Sequence, residues 1–250
     1  MKSLKRANKN RYSASESTSR PSNGISTGKR TERLSKALND FFKKRSPRSI
    51  TYEQLSLRDF IDLKKACSDI NNIVTLKVTL KFVSFLKNVN LIDAEQMSAI
   101  EEKIENTSPN SNGFDVEFHD ETKKIVAEVK CNIPVKSSRF GAAQKKGIYK
   151  DIINLWNGKT KSKLTCKELK EYYKFLVLLK SDSISEAIKH ILPEVNDVGK
   201  GKKHPSKAFL SQMNGKPIEE LKDINVTLLD KNSPTSFNTD TIYVVIIDME

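Results

Sequence analysis

Cysteine and histidine are scarce in this chain, and neither is grouped. Cys67, Cys131 and Cys166 stand far apart. They lack the short paired spacings of a disulfide framework or a zinc site, which fits a reducing, cytoplasmic compartment. His119, His190 and His204 show no metal-ligand spacing either. No apolar run approaches the roughly 18 residues needed to span a bilayer, so no membrane partner is expected. The opening MKSLKRANKN is basic but has no apolar stretch of the kind a secretory signal needs. Its Arg/Ser-rich, acid-poor composition also resembles an organellar transit peptide. Acids are nearly missing from residues 1–50, where 14 Lys and Arg face only Glu16, Glu32 and Asp40.

What is present is positive charge, unevenly spread. The net charge is +13 over 250 residues, and residues 1–50 hold +11 of it. An acidic polymer is the natural partner of such a chain. Beyond residue 50 the body is almost neutral, yet its basic residues cluster. Lys130, Lys136, Arg139, Lys145, Lys146 and Lys150 follow one another without an intervening acid. A second group comprises Lys200, Lys202, Lys203, His204 and Lys207.

Three regions are expected: a disordered basic tail over 1–29, a helical region over 30–107, and a core over 108–250. Leu34, Leu38, Phe41 and Phe42 form one helical stripe, and apolar residues in 52–66 suggest a second helix. Residues 73–88 fit both periods, and their length favours a helix. AEQMSAIEEKIEN (94–106) reads as a helix, and TSPNSNG breaks it. AAQKKGIYKDIINLW carries the stripe Ile148, Ile152, Leu155 and Trp156. Thr165–Glu168 and Ser183–Glu186 both read as capping boxes, and SEAIKHIL stops before Pro193. FLVLL (175–179) and TIYVVIIDM (241–249) are apolar runs typical of strands covered on both faces. Residues 195–240 read as loop-rich. The sum is an α/β chain of the α+β type, with a central mixed sheet flanked by helices.

The stretch NGFDVEFHDETKKIVAEVKCNIP (112–134) carries the chemistry. It reads as two strands and a charged turn. Alternation puts Phe114, Val116 and Phe118 on one face of the first strand and Asp115, Glu117 and His119 on the other. On the second strand Ile125, Ala127, Val129, Cys131 and Ile133 are apolar, while Val126, Glu128, Lys130 and Asn132 share the opposite side. Matching the apolar faces requires paired residue numbers with an odd sum. A sum of 243 sets Asp115 opposite Glu128, and 245 sets it opposite Lys130. Either register crowds carboxylates, which destabilises a ribbon in water unless a cation joins them. Mg²⁺ prefers oxygen ligands and is held by one or two carboxylates, waters and substrate phosphate. Asp115 and Glu128 could supply the carboxylates and Val129 a carbonyl oxygen. Lys130 could position a water or steady developing charge. The expected chemistry is metal-dependent phosphodiester hydrolysis.

These residues resemble the motif of the PD-(D/E)XK nuclease superfamily, to which many type II restriction endonucleases belong. Phe114-Asp115 stands for the PD step and Glu128-Val129-Lys130 for (D/E)XK; the departure is Phe114 in place of Pro. The helix and the FLVLL strand that follow continue the family's core order, so the resemblance covers roughly 95–180. It implies that Asp115 and Glu128 bind Mg²⁺, that Lys130 assists the attacking water, and that products carry 5′-phosphate and 3′-hydroxyl ends. It also makes Glu101, Glu102, Glu105 and Glu117 candidate accessory acids and Gln144 a candidate on the following helix. Lys136, Ser138, Arg139, Lys145, Lys146 and Lys150 are the candidate DNA-binding residues. The acid-x-Lys spacing alone is unspecific and recurs at Asp62, Glu101, Glu121, Glu168 and Glu220. Only Glu128 ends an apolar strand that follows a hydrophobic-Asp strand and a turn.

The expected function is a type II restriction endonuclease acting as a homodimer on double-stranded DNA, with a partner methyltransferase for the same site. Alternatives are a repair or junction-resolving nuclease of the same fold and a DNA-binding protein without catalysis.

Overall fold

The computed structural model describes residue 39 and residues 54–107, 113–134, 138–159, 162, 164–202, 204–213, 217–229 and 236–249. The predicted basic tail, the body of the 34–42 stripe and Lys136 lie outside them. The chain divides into two units, Met1–Leu63 and Lys64–Glu250.

In the first unit, helix α1 opens at Leu57 behind a reciprocal cap. The Asp59 amide donates to Ser56 Oγ at 3.2 Å, and the Ser56 amide donates to Asp59 Oδ2 at 2.7 Å. The helix runs from Leu57 to Asn88, 32 residues. The sequence pattern predicts two separate helices over this span. The segment between them, CSDINN, holds neither Gly nor Pro, so nothing interrupts the hydrogen-bond ladder.

In the second unit, α1 buries Val78, Phe82, Val83 and Leu86. It ends at Asn88, and two residues on Asn90 turns the chain with a φ of 56°, in the left-handed region that Asn tolerates. Helix α2 (Ala94–Glu105) starts at a capping box made by Asp93 and Gln96. Strands β1 (Val116–His119) and β2 (Lys124–Lys130) form the hairpin. Helix α3 (Ala142–Asn157), the short helix α4 (Cys166–Leu169) and strand β3 (Tyr173–Leu179) follow. Helices α5 (Ile184–Lys189), α6 (Leu192–Gly199) and α7 (Lys207–Leu210) lead to β4 (Val226–Leu228) and β5 (Ile242–Ile247).

The five strands lie in the order β1-β2-β3-β5-β4. Only the β1–β2 pair is antiparallel, so the sheet is mixed. Alternate residues feed two separate cores, as a period of two requires. Ile125, Ala127, Val129, Phe175, Val177, Tyr243 and Val245 pack with α1 and α2. Val126, Leu176, Leu178 and Val244 pack with α3 and the small helices. Both faces of the central strands are therefore dry, which explains their unbroken apolar runs.

Several expectations are corrected at this level. Thr165 and Glu168 form the predicted box, but Ser183 makes no side-chain cap. The SEAIKHIL helix does stop before Pro193, at Lys189, but Pro193 itself opens a further helix, in the first turn of α6, where its missing N–H has no intrahelical partner to lose. Within 195–240, β4 is an unforeseen strand. Three residues are too short for periodicity to reveal, and its outer edge is satisfied by a side chain. Asn196 donates to the Val226 carbonyl at 2.9 Å and accepts from the Val226 amide at 2.8 Å, standing in for a strand. Gly199 permits this approach, since a Cβ there would lie 2.4 Å from the Ile224 carbonyl oxygen.

Candidate active site

Register settles the hairpin. Val116 pairs with Ala127 and Glu117 with Val126, which is the register of sum 243. The ladder ends at the Val116–Ala127 pair. Beyond it, the Val129 amide donates to Asp115 Oδ2 at 2.7 Å, so a carboxylate takes the place of a strand partner. The alternation predicted for β1 does not extend back past Val116. Phe114 packs in the α3 core, whereas Val116 lies in the α1–α2 core. The chain twists at Asp115 because no ladder constrains it there. Asp115 consequently stays exposed beside Thr107, Glu105 and the α1 residues Asn72, Thr75 and Thr79, around a groove of about 460 Å³.

Glu128 and Lys130 project toward α3, with opposite burial. Glu128 is 3% exposed and surrounded by acids. Burial first, then Asp151 and Asp115, pushes its carboxyl up to about 8, against the pull of Lys159. Lys130 Nζ lies 3.0 Å from Asp151 Oδ2. Burial works to lower the Lys130 ammonium, but Asp151, Glu128 and Asp115 outweigh it and hold it above its ordinary range. Asp151 is 5% exposed, and burial raises its carboxyl despite the pairing.

Two of these groups are new relative to the sequence reading. Asp151 lies in α3, three residues after Ile148 and four before Leu155, so it must face inward. An acid inside that apolar stripe is the signal that could have found it. Lys159, just past the end of α3, carries no comparable mark. Its Nζ lies 2.5 Å from Glu128 Oε1, donates to the Gly113 carbonyl at 2.6 Å and stands 5.0 Å from the Phe114 ring centre. Even so, Glu128 Oε1 and Asp151 Oδ2 are buried without a well-aligned hydrogen bond. The cluster thus gathers three carboxyl groups and two lysines, and burial opposes the charge of both Glu128 and Asp151. Burying paired charges rarely stabilises a fold more than apolar packing would, so this arrangement points to function.

The remaining candidates separate. Glu117 joins Lys103 and Asp115 around a smaller cavity of about 200 Å³. Glu105 lines the groove at Asp115, while Glu101 and Glu102 lie farther back along α2. Gln144 serves the fold. Its oxygen accepts from the Gly141 amide at 3.0 Å, and its Nε2 donates to the Ile133 carbonyl at 2.9 Å, tying α3 to the exit of β2. Lys145 is engaged internally, 3.3 Å from Glu194 and over the Tyr149 ring. Arg139, Lys146 and Lys150 are exposed. Ser138 has a φ of 109°, a conformation that strains a residue with a side chain. Cys131 packs on the apolar side, where Thr75 donates to its sulfur at 3.7 Å. The charged turn is only a turn: Asp120 accepts from the amides of Thr122 and Lys123, and Gln96 fastens it to α2.

Among the described residues, no helix is long and apolar enough to cross a membrane, and no three His, Cys, Asp or Glu side chains form a ready-made metal cage. No family model, no curated protein and no solved structure matches the chain.

Proposed function

We propose that the chain is a Mg²⁺-dependent endonuclease hydrolysing DNA phosphodiester bonds, built like the PD-(D/E)XK nucleases and acting as a type II restriction endonuclease. The observation that carries this reading is the charge cluster of Asp115, Glu128, Lys130, Asp151 and Lys159, set where the hairpin meets α3. Three carboxyl groups held this close oppose one another's ionisation, and a bound cation would reverse that.

The donor set suits Mg²⁺. Asp115 and Glu128 would hold it, with a main-chain oxygen of Val129 as a further ligand, and substrate phosphate and water would complete the shell. The buried, unaligned Glu128 Oε1 fits that use. The chemistry such an ion supplies is a more acidic water and a counter-charge for the phosphate oxygens. The side chains do the rest. Lys130, held by Asp151, keeps its proton and presents a fixed positive charge to the attacked phosphate or to the incoming water. Asp151 orients that ammonium from its buried position on α3. Water adds to phosphorus and the 3′-oxygen leaves with a proton, giving 5′-phosphate and 3′-hydroxyl ends.

Arg139, Lys146 and Lys150 lie next in the chain and would hold the backbone of duplex DNA. Cutting both strands calls for two such sites, hence a homodimer, and a restriction role calls for a methyltransferase that protects the host site. The test is incubation with mixed plasmid DNA in Mg²⁺, with EDTA and Lys130→Ala as controls. Discrete fragments abolished by both controls are expected. Cleavage confined to branched or damaged DNA would move the role to repair. Intact DNA in Mg²⁺ and Mn²⁺, with binding that survives Glu128→Ala, would replace the enzyme by a DNA-binding protein.

A further inference from the structure

Lys159 occupies an unusual place. Three different attractions converge on its single ammonium: the Glu128 carboxylate at 2.5 Å, the Gly113 carbonyl at 2.6 Å and the face of Phe114 at 5.0 Å. All three partners belong to the hairpin that presents Asp115 and Glu128. Lys130 already has its own counter-ion in Asp151, at 3.0 Å. The two lysines therefore divide the work. Lys130 is fixed by a residue of a regular helix, whereas Lys159 reaches in from the loop that leaves α3.

That loop is shaped to deliver it. Gly158 closes α3, its amide donating to the Asn154 carbonyl at 2.8 Å, and then turns with a φ of 85°. A side chain there would be strained by that angle and would bring a Cβ within 2.8 Å of the Leu164 carbonyl oxygen. The glycine thus directs the very next side chain back over Phe114 onto Glu128. Beyond this turn, Lys159 sits on four flexible methylenes, and its side chain retains 20% exposure against 4% for Glu128. The carboxylate is sealed in, and the ammonium has a way out.

Resting on the nuclease reading above, we infer that Lys159 is the resident counter-ion of Glu128, which a divalent cation displaces and which then turns to a phosphate oxygen of the bound strand. Coulomb's law forces the first step. An ammonium and a divalent cation sharing one carboxylate would repel strongly in a site of low dielectric, so one excludes the other. The second step follows from what the displaced ammonium meets. Released from Glu128, it would be within reach of a phosphate held by that cation, where a positive charge on a mobile stem stabilises negative charge as it develops. Lys159 would then make metal binding weak until nucleic acid is present, because DNA offers the ammonium a new partner. Metal and substrate would bind with positive coupling.

The test uses the full chain and Mn²⁺ as the probe, with affinity read by calorimetry in the absence and presence of a short DNA duplex in Ca²⁺-free buffer. Lys159→Met and Lys159→Gln are compared with the wild type, and Glu128→Gln reports the site. Thermal melts confirm folding, and the two variants guard against one that fails to fold. Both Lys159 variants are expected to bind Mn²⁺ at least tenfold more tightly than wild type without DNA. They are also expected to lose most of the gain in Mn²⁺ affinity that DNA gives the wild type, and to cleave at least tenfold more slowly. Wild-type cleavage that needs Glu128, combined with unchanged or weaker Mn²⁺ affinity in folded Lys159 variants, would overturn this inference and leave the nuclease reading standing. Absence of Mn²⁺ binding and of cleavage in every form would overturn both.

Discussion

Lys130 and Asp151 are held 3.0 Å apart by two elements that the hairpin motif alone does not connect, the end of β2 and the middle of α3. A lysine meant to act on a phosphate must be kept charged and aimed, and a buried carboxylate does both. Asp151→Asn removes the charge but keeps the shape. Cleavage by this variant is expected to fall about 10- to 100-fold in kcat, the size typical of losing a group that orients another in a metal site. KM for DNA should change little, since Asp151 is buried away from the strand. An equal fall for Asp151→Asn and for a substitution elsewhere on α3 would mean that the effect is structural.

Removing one negative charge from the cluster should stabilise the protein. Glu128 is buried among Asp115, Asp151 and two lysines, where burial and repulsion from the two acids oppose its ionisation. Glu128→Gln relieves that repulsion in metal-free buffer. Its stability in urea at neutral pH is expected to rise, by about 1–2 kcal/mol, while cleavage is abolished. A destabilised Glu128→Gln protein would show that the Lys159 pair holds the fold together.

Lys174 offers a pH test away from the site. It lies on β3 beside a cavity of about 600 Å³, donating to the carbonyls of Tyr172 at 3.0 Å and Thr239 at 2.6 Å, with Trp156 beneath it. Burial pushes its ammonium down to about 8, against the opposing pull of Asp240 and Cys166. Glu219, Glu220, Asp223, Lys170 and Lys222 also line the cavity. The sign follows from proton counts. Between about 8 and the ordinary lysine range, the unfolded chain holds the proton and the folded chain does not, so stability rises with pH. Below about 8 both are protonated and the cost of the buried charge is constant. The gain is on the order of 3 kcal/mol at most. Lys174→Met should flatten this rise in urea titrations between pH 8 and 10, whatever it does to absolute stability.

The basic run should divide in two by function. Lys146 and Lys150 are exposed, and Lys145 is bound to Glu194. Changing both Lys146 and Lys150 to Glu is expected to weaken duplex binding. It should also flatten the slope of log affinity against log salt, by about 0.9 for each phosphate no longer neutralised. Lys145→Ala should leave that slope alone and cost about 0.5–1 kcal/mol of stability, the range of a half-exposed ion pair. Fluorescence anisotropy at several salt concentrations distinguishes the two.

Gln144 is expected to matter for folding. It makes both halves of the link between Gly141 and Ile133. Gln144→Ala should cost about 1–2 kcal/mol by removing two hydrogen bonds, measured by urea unfolding. A large drop in cleavage at unchanged stability would instead return Gln144 to the chemistry.

Much of the scaffold is legible in the sequence because its signals are local. Alternation assigns the faces of β2, and the odd-sum rule leaves two registers, of which 243 is present. The capping box at Thr165 and the buried runs of β3 and β5 are readable for the same reason. Phe114 departs from its expected face because alternation holds only inside a ladder, and β1 begins at Val116. Helix α1 reads as two helices because its amphipathic pattern fades around Cys67, although no residue there stops a helix.

The candidate site divides along the same line. The sequence by itself determined that Glu128 and Lys130 share a face of β2, since a period of two admits nothing else. It also determined that α3 would turn the face of Ile148, Ile152 and Leu155 inward. Only the tertiary structure decided that Asp151 meets Lys130, that Asp115 caps the Val129 amide, and that Lys159 folds back onto Glu128. Those pairings depend on how α3 lies across the sheet and on one left-handed glycine. No local pattern encodes the distance between side chains so far apart along the chain; packing does.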